Sequence, residues 1–135
     1  MEDELDFYEI EMFNLTMAIT RMSLASIHAA EGKLDAAIEE YTRVLEFDPN
    51  LYTAYYNRGR ALWRKGERER AKDDMTRAIN LEPGVAITYI CRGDIYYDQG
   101  DLGSARKDYR KALELSPSNP AVMERMSLLR KRKKR

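Results

Sequence analysis

Residues 59–83, GRALWRKGERERAKDDMTRAINLEP, and residues 93–117, GDIYYDQGDLGSARKDYRKALELSP, align without a gap at an offset of 34. Gly59 falls on Gly93, Gly66 on Gly100, Ala71 on Ala105, Met75 on Tyr109 and Pro83 on Pro117. The same step taken backwards reaches Ala25, Gly32, Ala37, Tyr41 and Pro49, and Tyr55 matches Tyr89. A fixed period of this length marks a supersecondary unit stacked on copies of itself.

Each repeated residue type has a physical reason to recur. Gly32, Gly66 and Gly100 suit a helix stop and turn, and Pro49, Pro83 and Pro117 cannot continue the helix before them. Gly59, Gly93 and the alanine series let neighbouring helices approach closely, where large side chains would push them apart. The spacing predicts first helices near 16–30, 52–65 and 86–99, alternating with second helices near 34–47, 68–82 and 102–115. After Pro120, AVMERMSLL sets Met123 and Met126 where a fourth unit would begin, then passes into RKRKKR, which predicts a capping helix over the last apolar face. Upstream, Leu5, Tyr8, Met12, Leu15, Ile19 and Met22 fall on one helical face and predict an extra N-terminal helix or an extension of the first, with Asn14 as a candidate break.

These residues resemble the tetratricopeptide repeat (TPR) family, whose 34-residue helix-turn-helix carries small, aromatic, Gly, Ala and Pro positions in this order. The resemblance implies an all-α, right-handed superhelical solenoid of three TPR repeats at 18–51, 52–85 and 86–119. Residues 1–17 would form an acidic N-terminal helical extension, and residues 120–135 a capping helix and basic tail. It also implies a protein-protein interaction module or scaffold that binds a peptide segment of a partner protein in a concave groove. Two alternatives are a segment of a longer multi-repeat scaffold, and a nucleic-acid or anionic-membrane accessory acting through the basic tail.

Composition agrees with a folded helical chain: 135 residues, 44% hydrophobic and 34% charged, with 4 Pro and 7 Gly. The formal net charge of zero hides a strong polarity. Residues 1–50 hold twelve acids against three bases, and residues 51–135 eleven against twenty. This motivates a weak self-association or an internal cover in which the acidic front meets a basic surface. No uncharged stretch approaches the roughly 20 residues of a membrane span. A lone cysteine, Cys91, cannot form an internal disulfide and points to a reducing, cytoplasmic setting. The one histidine, His28, takes a position normally filled by a packing aromatic, and no nucleophile-and-base set, metal-ligand spacing or phosphate loop accompanies it. Neither catalysis nor a cofactor is expected.

Family geometry, as the resemblance implies it, lines the groove with first-helix side chains. These are Ile19, Met22, Ser23, Ser26 and Ala30, then Tyr56, Asn57, Arg60, Trp63 and Arg64, then Ile87, Ile90, Cys91, Asp94, Tyr97 and Asp98. Tyr56, Trp63 and Tyr97 read as rigid anchors and Asn57 as a main-chain hydrogen bonder. Arg60 with Asp94, and Arg64 with Asp98, are each 34 apart, so they are expected side by side on adjacent helices and neutralising one another. The subclass of the family that clamps the C-terminal carboxylate of cytosolic chaperones uses five polar or cationic positions. Here these read Met22, Ser26, Asn57, Ile87 and Cys91, so chaperone C-terminal tails are not expected to bind. The run Arg130 to Arg135 carries no interleaved aromatic, and nucleic acid is not the expected partner.

Overall fold

The computed structural model describes residues 2–133, and side chains from Asp6 to Arg132. Met1, Lys134 and Arg135 lie outside it, as do the side chains of Leu5, of the acids Glu2, Asp3 and Glu4, and of Lys133 in the basic run. The described chain is seven helices: α1 Glu2–Ala30, α2 Leu34–Phe47, α3 Tyr52–Lys65, α4 Arg68–Leu81, α5 Ala86–Asp98, α6 Leu102–Leu115 and α7 Pro120–Lys133. The second helices and turns fall where the period puts them, within a residue or so. The N-terminal segment is an upstream extension of the first helix, for α1 runs through Asn14 without a break.

The punctuation works as its chemistry dictates. Gly32, Gly66 and Gly100 have φ of 79°, 95° and 81°, a left-handed conformation that costs glycine nothing. Around Gly66 the N–H of Glu67 donates to the carbonyl of Leu62 and that of Gly66 to Trp63, both at 2.9 Å, which is the Schellman closure of a helix end. The same pair of bonds recurs around Gly32 and Gly100. At the other end of each unit, Asp48, Glu82 and Ser116 have ψ of 92°, 83° and 81°. The following proline ring drives its predecessor out of the helical region, and so fixes where each second helix stops.

Helices α1 and α2, α3 and α4, and α5 and α6 form antiparallel hairpins that stack through α2 on α3 and α4 on α5, with α1, α3 and α5 adjacent along the inner row. Small residues set the approach: Ala25, Ala37, Ala71 and Ala105 have no exposed surface. A Cβ added at Gly93 would stand 2.6 Å from a ring carbon of Tyr109, which is itself fully buried. Helix α7 closes the stack. Asn119 caps it, its Oδ1 accepting from the N–H groups of Ala121 and Val122, and Pro120 occupies the first turn, where its missing N–H costs nothing. Val122 and Leu129 provide its buried face, whereas Met126 is half-buried and Met123 exposed. At the opposite end the side chains of residues 6–16 are all exposed, including Phe7, Tyr8, Ile10, Met12, Phe13 and Leu15. His28 sits half-buried in the last turn of α1.

Candidate functional site: the concave groove

Two pockets open along the inner helices. The first, about 230 Å³, lies between α1 and α3 and is lined by Ser26, Ala29 and Ala30, by Tyr41 from α2, and by Asn57, Arg60, Ala61 and Arg64. Ser26 Oγ and the Tyr41 hydroxyl share a hydrogen bond at 3.4 Å. Arg64 is held by donating to the carbonyl of Ala29 at 2.8 Å, and the Arg60 guanidinium lies 5.7 Å from the centre of the Tyr56 ring. Among the described residues no carboxylate lies within salt-bridge distance of either arginine.

That corrects the pairing drawn from the 34-residue offset. Asp94 is occupied from below and from the next element. The Tyr109 hydroxyl donates to its Oδ1 at 2.5 Å, and Arg125 of α7 forks onto both oxygens at 2.6 and 2.8 Å. Asp94 is thus committed to Tyr109 and Arg125 and makes no salt bridge to Arg60. Asp98 instead accepts the indole N–H of Trp63 at 3.1 Å. Arg125 lies 31 residues after Asp94, and the offset of 34 cannot find it.

The second pocket, about 340 Å³, lies between α3, α5 and α7, lined by Trp63, Asp94, Tyr97, Asp98, Tyr109, Glu124, Arg125 and Leu128. Burial, followed by the hydrogen bond to the Asp94 carboxylate, pushes the Tyr109 hydroxyl far above its ordinary range, so it stays a neutral donor.

The predicted groove residues divide between these places. Ile90 and Cys91 are buried, at 4% and 9% exposure, so both belong to the packing beneath the groove rather than to its open surface. The Cys91 thiol donates to the Tyr56 hydroxyl at 3.8 Å; burial raises its pKa and raises that of Tyr56 to about 12. Tyr56 is half-buried and stacked on Tyr52, and Met22 is half-buried beside it. Ile19 and Ile87 stand exposed on the rim.

One set escaped the sequence reading. Arg58 and Arg92 each fork onto an aspartate of the same repeat, Asp74 and Asp108, at 2.7–2.8 Å, and each also donates to a threonine of the preceding repeat, Thr42 and Thr76. All three residue types recur at 34, so the signal was present.

A solenoid of helix hairpins with an open concave face is the architecture of a protein-interaction module. The family model described as "TPR repeat" matches residues 25–66 and 93–124, and the one described as "Tetratricopeptide repeat" matches 52–85. The chain belongs to the tetratricopeptide repeat family, a family of protein-interaction modules. Among solved structures it is similar to the first TPR of Spaghetti (RPAP3) bound to the HSP90 peptide SRMEEVD, with 26% identity, a TM-score of 0.84 and coverage of 89% of this chain and 95% of that one. It is likewise similar to the second TPR domain of human RPAP3 in complex with the HSP70 peptide SGPTIEEVD, with 28% identity, a TM-score of 0.81 and coverage of 87% and 98%. MamA matches at 26% identity and a TM-score of 0.82, over 86% of this chain and 68% of that one. No curated protein matches the chain.

These neighbours overturn the expectation that chaperone C-terminal tails are unsuited to the chain, since two domains of this shape hold chaperone peptides. That expectation counted Met22, Ser26, Asn57, Ile87 and Cys91; Arg60 and Arg64, which line the α1–α3 pocket, are not among those five. Among the described residues no helix is long and apolar enough to cross a membrane.

Proposed function

We propose that the groove binds an acidic peptide segment of a partner protein, its carboxylates held in the α1–α3 pocket by Asn57, Arg60 and Arg64. The observation that carries this reading is the pair of guanidiniums lining that pocket with no carboxylate of the described residues within salt-bridge distance of them. Cations placed on a rigid helix beside an amide donor form charge-assisted hydrogen bonds with carboxylates, each contributing about 1.5–3 kcal/mol when well aligned. Tyr56 and Trp63 flank the arginines on α3 and offer apolar surface to the residues between the acids. The acidic HSP90 and HSP70 peptides held by similar domains, SRMEEVD and SGPTIEEVD, are the first ligands to try.

Calorimetry with both peptides on the full chain tests the reading. Binding should weaken as salt rises, and Arg60→Ala combined with Arg64→Ala should cost at least about tenfold in affinity. An unaltered affinity in that variant, whose side chains are exposed and whose fold should persist, would place the ligand elsewhere.

A further inference from the structure

The α3–α5–α7 cleft has the opposite character from its neighbour. It presents three carboxylates, Asp94, Asp98 and Glu124, and a single guanidinium, Arg125, which Asp94 already engages. Asp98 and Glu124 are exposed, and among the described residues neither has a cation within salt-bridge distance. Trp63 and Tyr97, both half-buried, supply aromatic wall. The chain itself shows what such a wall accepts. At the cleft's edge the Arg132 guanidinium lies 4.7 Å from the centre of the Tyr97 ring and donates to the Tyr97 carbonyl at 3.3 Å.

We propose that this cleft takes the cationic side chain, arginine or lysine, of a peptide lying in the groove, between the rings of Trp63 and Tyr97 and the carboxylates of Asp98 and Glu124. The inference rests on the groove reading above and adds a second determinant to it. A cation over an aromatic face is attracted by the ring quadrupole, and two uncompensated carboxylates add to that attraction. The two pockets sit on successive intervals of the inner helix row. Packed helices are about 8–10 Å apart and an extended chain advances about 3.3 Å per residue, so acid and cation should be separated by about three residues. The module would then read a bipolar ligand: carboxylates toward α1 and one base toward α7. SRMEEVD carries an arginine two residues before its first glutamate, whereas SGPTIEEVD carries no base.

The test compares SRMEEVD with the same peptide bearing alanine in place of arginine, SAMEEVD. Wild type should bind SRMEEVD about fivefold more tightly, and the double variant Asp98→Asn, Glu124→Gln should lose that preference while its affinity for SAMEEVD stays unchanged. Equal affinity for the two peptides on wild type, or a preference that persists in the double variant, overturns the proposal. If neither peptide binds, the acidic-ligand reading fails, and the cleft is judged by itself with acetyl-arginine amide at millimolar concentration. Trp63 is the only tryptophan, so its fluorescence should change saturably in wild type and stay flat in the double variant. No saturable change in wild type overturns the proposal.

Discussion

Leu24 stands where the second and third repeats carry Arg58 and Arg92, and Glu40 where they carry Asp74 and Asp108. In the later repeats the arginine is a half-buried staple, forking onto its own second helix and reaching back to a threonine of the preceding unit. Before the first repeat the described chain carries the upstream part of α1 in place of a helix hairpin. The leucine of the first repeat is 40% exposed, and its comparable pair among the described residues, Arg21 with Glu40 at 2.9 Å, is a single bond closer to solvent. Repeats of one sequence pattern thus differ in how firmly they are held. Stability in a stacked array is a sum of units and their interfaces, so the α1–α2 hairpin should open before the rest. The proposed acid-binding pocket includes this least anchored helix, and a ligand bound there should tighten it by mass action.

The most forceful way to break the comparison is to cut equivalent pairs. Asp108→Ala leaves the Arg92 guanidinium buried and without its partner, and Arg92 and Asp108 side chains are only 18% and 4% exposed. We expect a loss of about 3–5 kcal/mol in denaturant unfolding. Glu40→Ala should cost about 1 kcal/mol, because it removes a single bond to a glutamate whose side chain is 15% exposed, where Asp108 is 4% exposed and held by a fork. Equal losses would show that the first hairpin is held as firmly as the third.

The second contrast lies in the close approach of first and second helices. A methyl at Gly93 meets Tyr109 ring carbons at 2.6 and 2.9 Å, and the ring, pinned through its hydroxyl to Asp94, cannot swing away. At Gly59 the contacts are longer: the terminal methyl of Met75 at 3.0 Å, which can move, and the Asp74 Cβ and Ala71 carbonyl at 3.2 and 3.3 Å, which need give by only a few tenths of an ångström. Gly93→Ala should therefore destabilise by about 1–3 kcal/mol despite the helical preference of alanine, and Gly59→Ala should change stability by less than about 1 kcal/mol. Thermal melts of the two variants side by side decide it; an equal response would mean that Tyr109 has room the packing does not suggest.

How much of this was legible follows from the kind of constraint each residue carries. Gly66, Pro83 and Ala71 answer to one local requirement each: a positive φ, a missing N–H, a missing side chain. A period of 34 therefore located turns, helix ends and packing faces. Pairings between side chains are decided by competition, and the offset could not see that Arg125 from α7 would take Asp94 before Arg60 did. It could have seen the Arg58, Asp74 and Thr42 set, which repeats as faithfully as the glycines. Asn14 was overweighted as a breaker: an exposed asparagine in a helix costs at most about 0.7 kcal/mol relative to alanine, too little to end α1. Burial of Ile90 and Cys91 came from the arrival of α7 and the stacking of Tyr56, neither of which a single repeat reveals.

The smallest effect expected is at the N-terminal end, and it is the one that bears on what α1 is for. Residues 6–16 are all exposed, with Phe7, Tyr8, Ile10, Met12, Phe13 and Leu15 as 57–65% exposed apolar side chains among Asp6, Glu9 and Glu11. Removing everything before Met17 takes no packing from the hairpins, because Ala25 and the half-buried Ala18 and Met22, which contact the core, remain. Unfolding free energy should change by less than about 1 kcal/mol, within the range of surface substitutions. The melting transition of the shortened chain, measured at several concentrations beside that of the full chain, checks this. A loss above about 2 kcal/mol would mean that the apolar extension is packed in solution against a surface of the solenoid or of another molecule, and the first repeat would then owe part of its hold to residues that stand exposed in the isolated fold.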